Sequence, residues 1–165
     1  KPIEGLASTL EVAKLATIQE APFDKEHSIG SQVLVISKIF PDANVTPIIL
    51  RSNVTKEEAE ALGRKLATFL DEDTVLIASV DFSHYLPTTQ ATPIDVISGN
   101  VIRNLDSGAI SLVKADSSKS MLVFIRAMSE KKATDTSNFE IVNTNDLMQN
   151  SDYTTGYVFG FWGIN

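Results

Sequence analysis

The sequence predicts an α/β fold, and three observations carry that prediction. A continuous apolar run extends from Thr74 to Val80, amphipathic helical patterns stand on either side of it, and the closing segment alternates aromatic and small residues. An unbroken apolar run of strand length marks a strand buried on both faces, and helices with one apolar stripe are what cover such a strand. Thr74 to Val80 is therefore expected inside the sheet of a single domain, with helices beginning near Ser28 and Thr55 packed on it.

The elements follow in order. Residues 8–20 place Leu10, Ala13, Leu15, Ala16 and Ile18 behind Ser8 and Thr9, the pattern of a capped helix. Residues 28–40 hold Ile29, Val33, Ile36, Ile39 and Phe40 at helical spacing until Pro41-Asp42 stops them, so His27 stands at that helix's entry. Val45 to Leu50 is β-branched but interrupted by Pro47, which suits a strand start or an edge. Residues 52–70 give the clearest helix. Thr55 and Glu58 spell a capping box, and Ala59, Leu62, Leu66 and Phe69 line one face, while Glu57, Glu58 and Glu60 read as a solvated one. Residues 93–113 suggest two short helices broken near Asp106-Ser107-Gly108, and residues 117–130 a further amphipathic helix with Asp116-Ser117 at its mouth. Phe139 to Val142 and Tyr157 to Trp162 read as strands, the Phe159/Phe161/Trp162 stripe being core.

Composition limits the function. With 165 residues, 43% of them apolar, and a mean hydropathy of +0.04, the chain can bury a real core. Its net charge of −7 argues against a nucleic-acid surface, which needs clustered Lys and Arg to displace counterions. Small-molecule or peptide ligands remain the expected partners. No cysteine is present, which removes disulfides, thiolate ligands and thiol nucleophiles. No apolar run reaches the roughly 18 residues of a membrane span, and the expectation is a soluble chain with the cytoplasm favoured. The opening Lys1-Pro2-Ile3-Glu4-Gly5 reads as the interior of something longer, as though upstream sequence had been removed.

Both histidines sit beside a carboxylate and a serine, in Glu26-His27-Ser28-Ile29-Gly30 and Ser79-Val80-Asp81-Phe82-Ser83-His84-Tyr85. His84 falls just past the carboxyl end of the apolar run, where open α/β sheets bind ligands, and its near-neutral titration suits proton transfer. The plainer reading is a strand-end histidine held by Asp81, a residue that orients His84 or the turn rather than binding anything itself. His27 either staples a helix with Ser28 as N-cap or faces a pocket. Asp116 is either a cap carboxylate at a helix dipole or a metal ligand. Ser28, Ser83 and Tyr85, flanking the histidines, are the candidate substrate contacts.

The wording Glu26-His27-Ser28-Ile29 with Gln32, then Val45 to Leu50, then Ala78 to Tyr85, resembles the Memo-like family, also called AmmeMemoRadiSam system protein B. Thr155 to Gly160 resembles that family's last strand. The resemblance implies a layered α/β/α sandwich with a central, mostly parallel or mixed sheet, similar to class III extradiol dioxygenases. It also implies that residues 1–165 are the C-terminal two-thirds of a longer domain. In those dioxygenases two histidines and a carboxylate hold a non-haem metal and a further histidine acts as acid/base, the place where His84 falls. The family's two metal histidines, which precede the Glu-His-Ser motif, are absent here, and its third ligand, a cysteine, falls at Asp116. Iron, copper or zinc is implied for a longer protein, and no stoichiometric metal is expected in this chain, where His27, His84 and Asp116 are the remaining ligands.

Three functions stay open: a metal-dependent oxidoreductase or hydrolase with His84 moving a proton and His27 positioning substrate, a module that binds a small molecule or peptide without turnover, and a remnant whose histidines only form hydrogen bonds. The first two require His27, His84 and Asp116 to converge on one concave surface.

Overall fold

Thr55 starts its helix as the sequence requires. In the computed structural model, which describes residue 3 and residues 5–133, 135–148 and 152–163, its hydroxyl accepts from the Glu58 amide at 3.1 Å. The Glu58 carboxylate accepts in return from the Thr55 amide at 2.8 Å. Lys1, Pro2 and Glu4 of the opening stretch lie outside the described residues. The chain divides into two units, Lys1–Val54 and Thr55–Asn165.

The first unit carries α1 (Leu6–Val12) and α2 (His27–Ile39), with a 3-10 turn at Ala21–Lys25 between them. α1 begins earlier and ends sooner than residues 8–20 predict. Its N-cap is Gly5 at φ 74, a conformation glycine adopts without penalty. Leu6 and Leu10 are buried and Leu15 and Ala16 half-buried, whereas Val12 and Ile18 face solvent, so the apolar pattern past Val12 is only partly covered. α2 opens where expected, but its N-cap is Glu26 rather than Ser28. No residue of α2 is buried. Val45 to Leu50 forms no ladder among the described residues, a correction in keeping with Pro47, which has no amide proton to donate. The segment is tied down through Thr46, whose hydroxyl accepts from the Ile3 amide at 2.8 Å.

The second unit is built around α5 (Ser118–Glu130), buried at Met121 through Ile125 and again at Ala127 and Met128. α3 (Lys56–Ala67) lies against it through Ala59, Leu62, Gly63, Leu66 and Ala67. Gly63 is more than a weak spot in the helix. A Cβ there would stand 2.6 Å from the Val123 carbonyl oxygen and 2.7 Å from Arg126 Cβ, so glycine sets how closely the two helices approach. The remaining elements are β1 (His84–Leu86), α4 (Thr88–Arg103), a 3-10 turn at Ser107–Leu112, β2 (Asp135–Asn143), α6 (Thr144–Met148) and β3 (Thr154–Gly163). The break between α4 and the 3-10 turn falls where the sequence puts it, and both C-terminal strands are longer than predicted.

The sheet has three strands in the order β1-β3-β2. Where a mostly parallel or mixed sheet is expected, both pairings are antiparallel. The helix that covers it is α4, not α3. Thr74 to Val80 makes no ladder among the described residues. Its side chains alternate: Leu76, Ala78 and Val80 join the core, while Val75 and Ile77 are 80% and 54% exposed. An apolar run shows what a segment can bury, and only one face of this one is buried. Trp162 packs on both core clusters with Ala78 and meets Phe124 edge-on at 5.0 Å, but its neighbours Phe159 and Phe161 point outward, against the predicted core stripe. No helix among the described residues is long and apolar enough to cross a membrane.

Two substitutions test this packing. Gly63→Ala should destabilise the protein by about 1–3 kcal/mol through overpacking, and Thr55→Ala by about 1 kcal/mol through loss of the cap. Both should lower the urea midpoint at an unchanged slope.

Candidate functional site

The segment carrying His84 is held by its backbone. The Phe82 amide donates to the Gly156 carbonyl at 3.0 Å, and the Gly156 amide donates to the Ser83 carbonyl at 2.8 Å. Phe82, 4% exposed, anchors the segment in the core. The loop entering α5 is tied to it by the Asp116 amide, which donates to the Asp81 carbonyl at 2.9 Å. Ser117, not Asp116, caps α5, its hydroxyl accepting from the Ser120 amide at 3.1 Å. The Asp116 carboxylate therefore turns toward His84 rather than to its own helix.

The resulting geometry is compact. His84 Nε2 stands 3.1 Å from Asp116 Oδ1 and 3.8 Å from Asp81 Oδ2. On the other side of the ring, Nδ1 lies 3.3 Å from the Thr155 hydroxyl. A carboxylate can only accept, so Nε2–H donates to Asp116, while the Thr155 hydroxyl can either donate to Nδ1 or accept from it. Asp81, read from the sequence as orienting His84, is thus the more distant of its two carboxylates. Its charge is felt elsewhere, because the Tyr157 phenol is held above its ordinary value first by burial and then by Asp81. An open depression of about 500 Å³ lies beside the cluster, walled by His84, Asp116, Lys114 and Ile94.

Ligand atoms of Asp81, His84 and Asp116 all lie within 4.8 Å of one another. An ion bonded at about 2.1 Å to imidazole nitrogen and carboxylate oxygen places neighbouring donors roughly 3.0–3.4 Å apart. The donor types fit a divalent cation, and the 3.1 Å edge fits its spacing. The 3.8 Å edge needs a modest rotation of Asp81, which is half-exposed.

The other candidates stand as follows. Tyr85 is 77% exposed, at φ 55, where the ladder with β3 shifts register. This backbone conformation is uncommon for a bulky residue, and it carries the ring outward, its centroid 5.5 Å from that of His84. Ser83 is buried, and both its amide and its hydroxyl donate to Asp95, at 3.1 and 2.7 Å. Its hydrogen bonds are spent inside the protein. His27 and Ser28 belong to the first unit, where the Glu26 carboxylate accepts from the Ser28 hydroxyl at 2.7 Å and from its amide at 3.1 Å. Sequence reasoning missed Asp95 and Thr155. An acid between Ile94 and Val96 inside a helical pattern was the available signal for Asp95; a threonine opening a strand gave none for Thr155.

The hydrogen bond from the Ser28 side chain, foremost, holds the Glu26 carboxyl below its ordinary value. A depressed folded value means stability present above the unfolded value and lost as pH falls through the folded one. The stability difference between the protein and its Glu26→Gln variant should therefore be constant at neutral pH and shrink as the medium is acidified below about 4.5. Denaturant melts over a pH series check this, and a difference that persists unchanged to pH 2 speaks against it.

A family model described as "Memo-like protein" matches residues 3–149. A MEMO1 family protein of Caldivirga maquilingensis is 34% identical over 99 residues, which cover 57% of this chain and 35% of the relative. A MEMO1 family protein of Pyrobaculum aerophilum is 35% identical over 91 residues, 53% of this chain and 32% of the relative. The matched stretch thus spans about a third of each relative's length.

Proposed function

The chain belongs to the Memo-like family, and from that premise we propose that Asp81, His84 and Asp116 hold an exchangeable divalent cation beside a pocket for a small polar molecule. The observation that carries this reading is the convergence of one imidazole and two carboxylates within 4.8 Å. Such a cation supplies Lewis-acid polarisation of a carbonyl or hydroxyl oxygen, the chemistry shared by metal-dependent hydrolases and oxidoreductases. The same membership supports the layered α/β/α arrangement as the fold of the complete domain.

The chain's own residues do the rest. To offer Nε2 as a ligand, His84 shifts its single ring proton from Nε2, where Asp116 accepts it, to Nδ1, where the Thr155 hydroxyl accepts it. Thr155 permits that change, because a hydroxyl accepts as readily as it donates. Asp116 passes from hydrogen-bond acceptor to ligand without moving far. Three ligands, one of them at the edge of reach, make an open and weak site, and the cation is held in exchange and lost on dialysis.

Calorimetric titration of chelator-treated protein with Zn²⁺ tests this. Saturable binding of about one ion per chain is expected, weakened roughly tenfold or more in Asp116→Asn and in His84→Ala. Binding unchanged in both variants sinks the assignment.

A second reading is favoured by the 3.1 Å contact between His84 and Asp116, which satisfies both groups with no cation. In that case the pocket is a metal-independent binding module, and a small polar ligand competes for Nε2 directly. Absent Zn²⁺ binding by the unmodified chain is the outcome that selects it.

A further inference from the structure

We infer that Asp95 is the positioning residue of this site, acting through Ser83 to hold His84 against Asp116; the inference rests on the site proposed above. Asp95 lies in the middle of α4, 1% exposed, and does not itself line the pocket, which it reaches only through Ser83. Both of its carboxylate oxygens accept from the residue before His84, Oδ1 from the Ser83 amide at 3.1 Å and Oδ2 from the Ser83 hydroxyl at 2.7 Å.

One turn further along α4, Ser98 does the same for the other loop. It is fully buried, donates to the Ile94 carbonyl at 3.0 Å, and accepts from the Lys114 amide at 2.9 Å. Residues three apart share a helix face, so a single face of α4 grips both loops. One grip lies a residue before His84 and the other two residues before Asp116. The neighbouring strand leaves space for the carboxylate. A Cβ at Gly156 would stand 2.1 Å from Asp95 Oδ2, closer than any side chain tolerates.

Burying a polar side chain is unfavourable unless it is hydrogen-bonded, and an apolar residue would pack in that position at lower cost. What the two polar side chains add is a fixed distance between the loops. Groups hydrogen-bonded to a ligand set its orientation, and their removal weakens metal binding about 10–100-fold; Asp95 acts one step further out, on the residue that leads into His84.

The test uses the whole chain in four forms: unmodified, Asp95→Ala, Asp95→Asn and Ser83→Ala. Long-range proton–nitrogen spectra of ¹⁵N-histidine protein read the tautomer of His84 without metal, and Zn²⁺ calorimetry reads the site with it. The unmodified chain should show His84 with its proton fixed on Nε2. Asp95→Ala and Ser83→Ala should give a tautomer mixture and about 10–100-fold weaker Zn²⁺ binding. Asp95→Asn should restore both, because its amide keeps both contacts once the Ser83 hydroxyl reverses.

Loss of fold in Asp95→Ala leaves Ser83→Ala, which removes one hydroxyl and keeps the amide contact, as the deciding variant. A fixed tautomer in cooperatively folded Ser83→Ala overturns the inference, whatever happens to stability. If the unmodified chain binds no Zn²⁺, the cation reading fails on its own, and the tautomer comparison still decides the role of Asp95.

Discussion

Burial of α5 is the constraint on which the second unit depends. The helix is covered on nearly every side, by α3 along one flank and by the cluster of Phe82, Val101, Ile102 and Val113 along another. A helix so enclosed has one position and one rotation available, since interiors packed to crystal density do not tolerate sliding. The loop that enters it inherits that rigidity. Asp116 stands one residue before the Ser117 cap, so its position is fixed by the core although its carboxylate is mostly in solvent.

Much of this was legible in the sequence because the controlling interactions are local. Thr55 and Glu58 satisfy each other's amides across one turn, and the boundary of α3 follows without reference to anything distant. Ser117 and Asp106 likewise mark their own elements, accepting from amides two or three residues on. The misreadings fall where the outcome depends on a partner elsewhere. Thr74 to Val80 has the composition of a central strand, but a ladder needs a neighbour with matching register, and no local pattern announces one. The sequence pattern likewise starts this helix only at residue 93. α4 instead begins at Thr88 and carries Pro93 inside it, although a proline there has no amide proton for the intrahelical ladder.

The site divides along the same line. His84 and Asp116 were picked out individually, from a strand-end address and from family resemblance, and they do meet. Asp81 was given the lesser role of orienting His84 because proximity in sequence suggested a hydrogen bond. The geometry gives that hydrogen bond to Asp116, thirty-two positions away by numbering, and leaves the Asp81 carboxylate at 3.8 Å from Nε2, beyond hydrogen-bond reach. The role of Asp95 is not legible beyond an acid set between Ile94 and Val96, because a buried acid in a helix is recognised by what it touches, and Ser83 is twelve residues distant.

A carboxylate at 116, where the resemblance places a cysteine, carries a consequence for the proposed cation. Thiolates select soft ions, among them copper in its lower oxidation state, whereas carboxylates and imidazole suit harder and borderline divalent ions such as manganese, ferrous iron and zinc. With no cysteine in the chain, the donor set formed by Asp81, His84 and Asp116 has no soft member. Two carboxylates also bring two negative charges to a site whose imidazole ligand is neutral, so a dication is neutralised by its own ligands. Such a site gains little from a neighbouring anion and binds a neutral oxygen of the ligand with less competition. On the proposed reading, then, the exchange of sulfur for oxygen at one position directs the pocket toward divalent ions and toward polar, uncharged ligand groups, in a protein whose overall charge of −7 already disfavours polyanions.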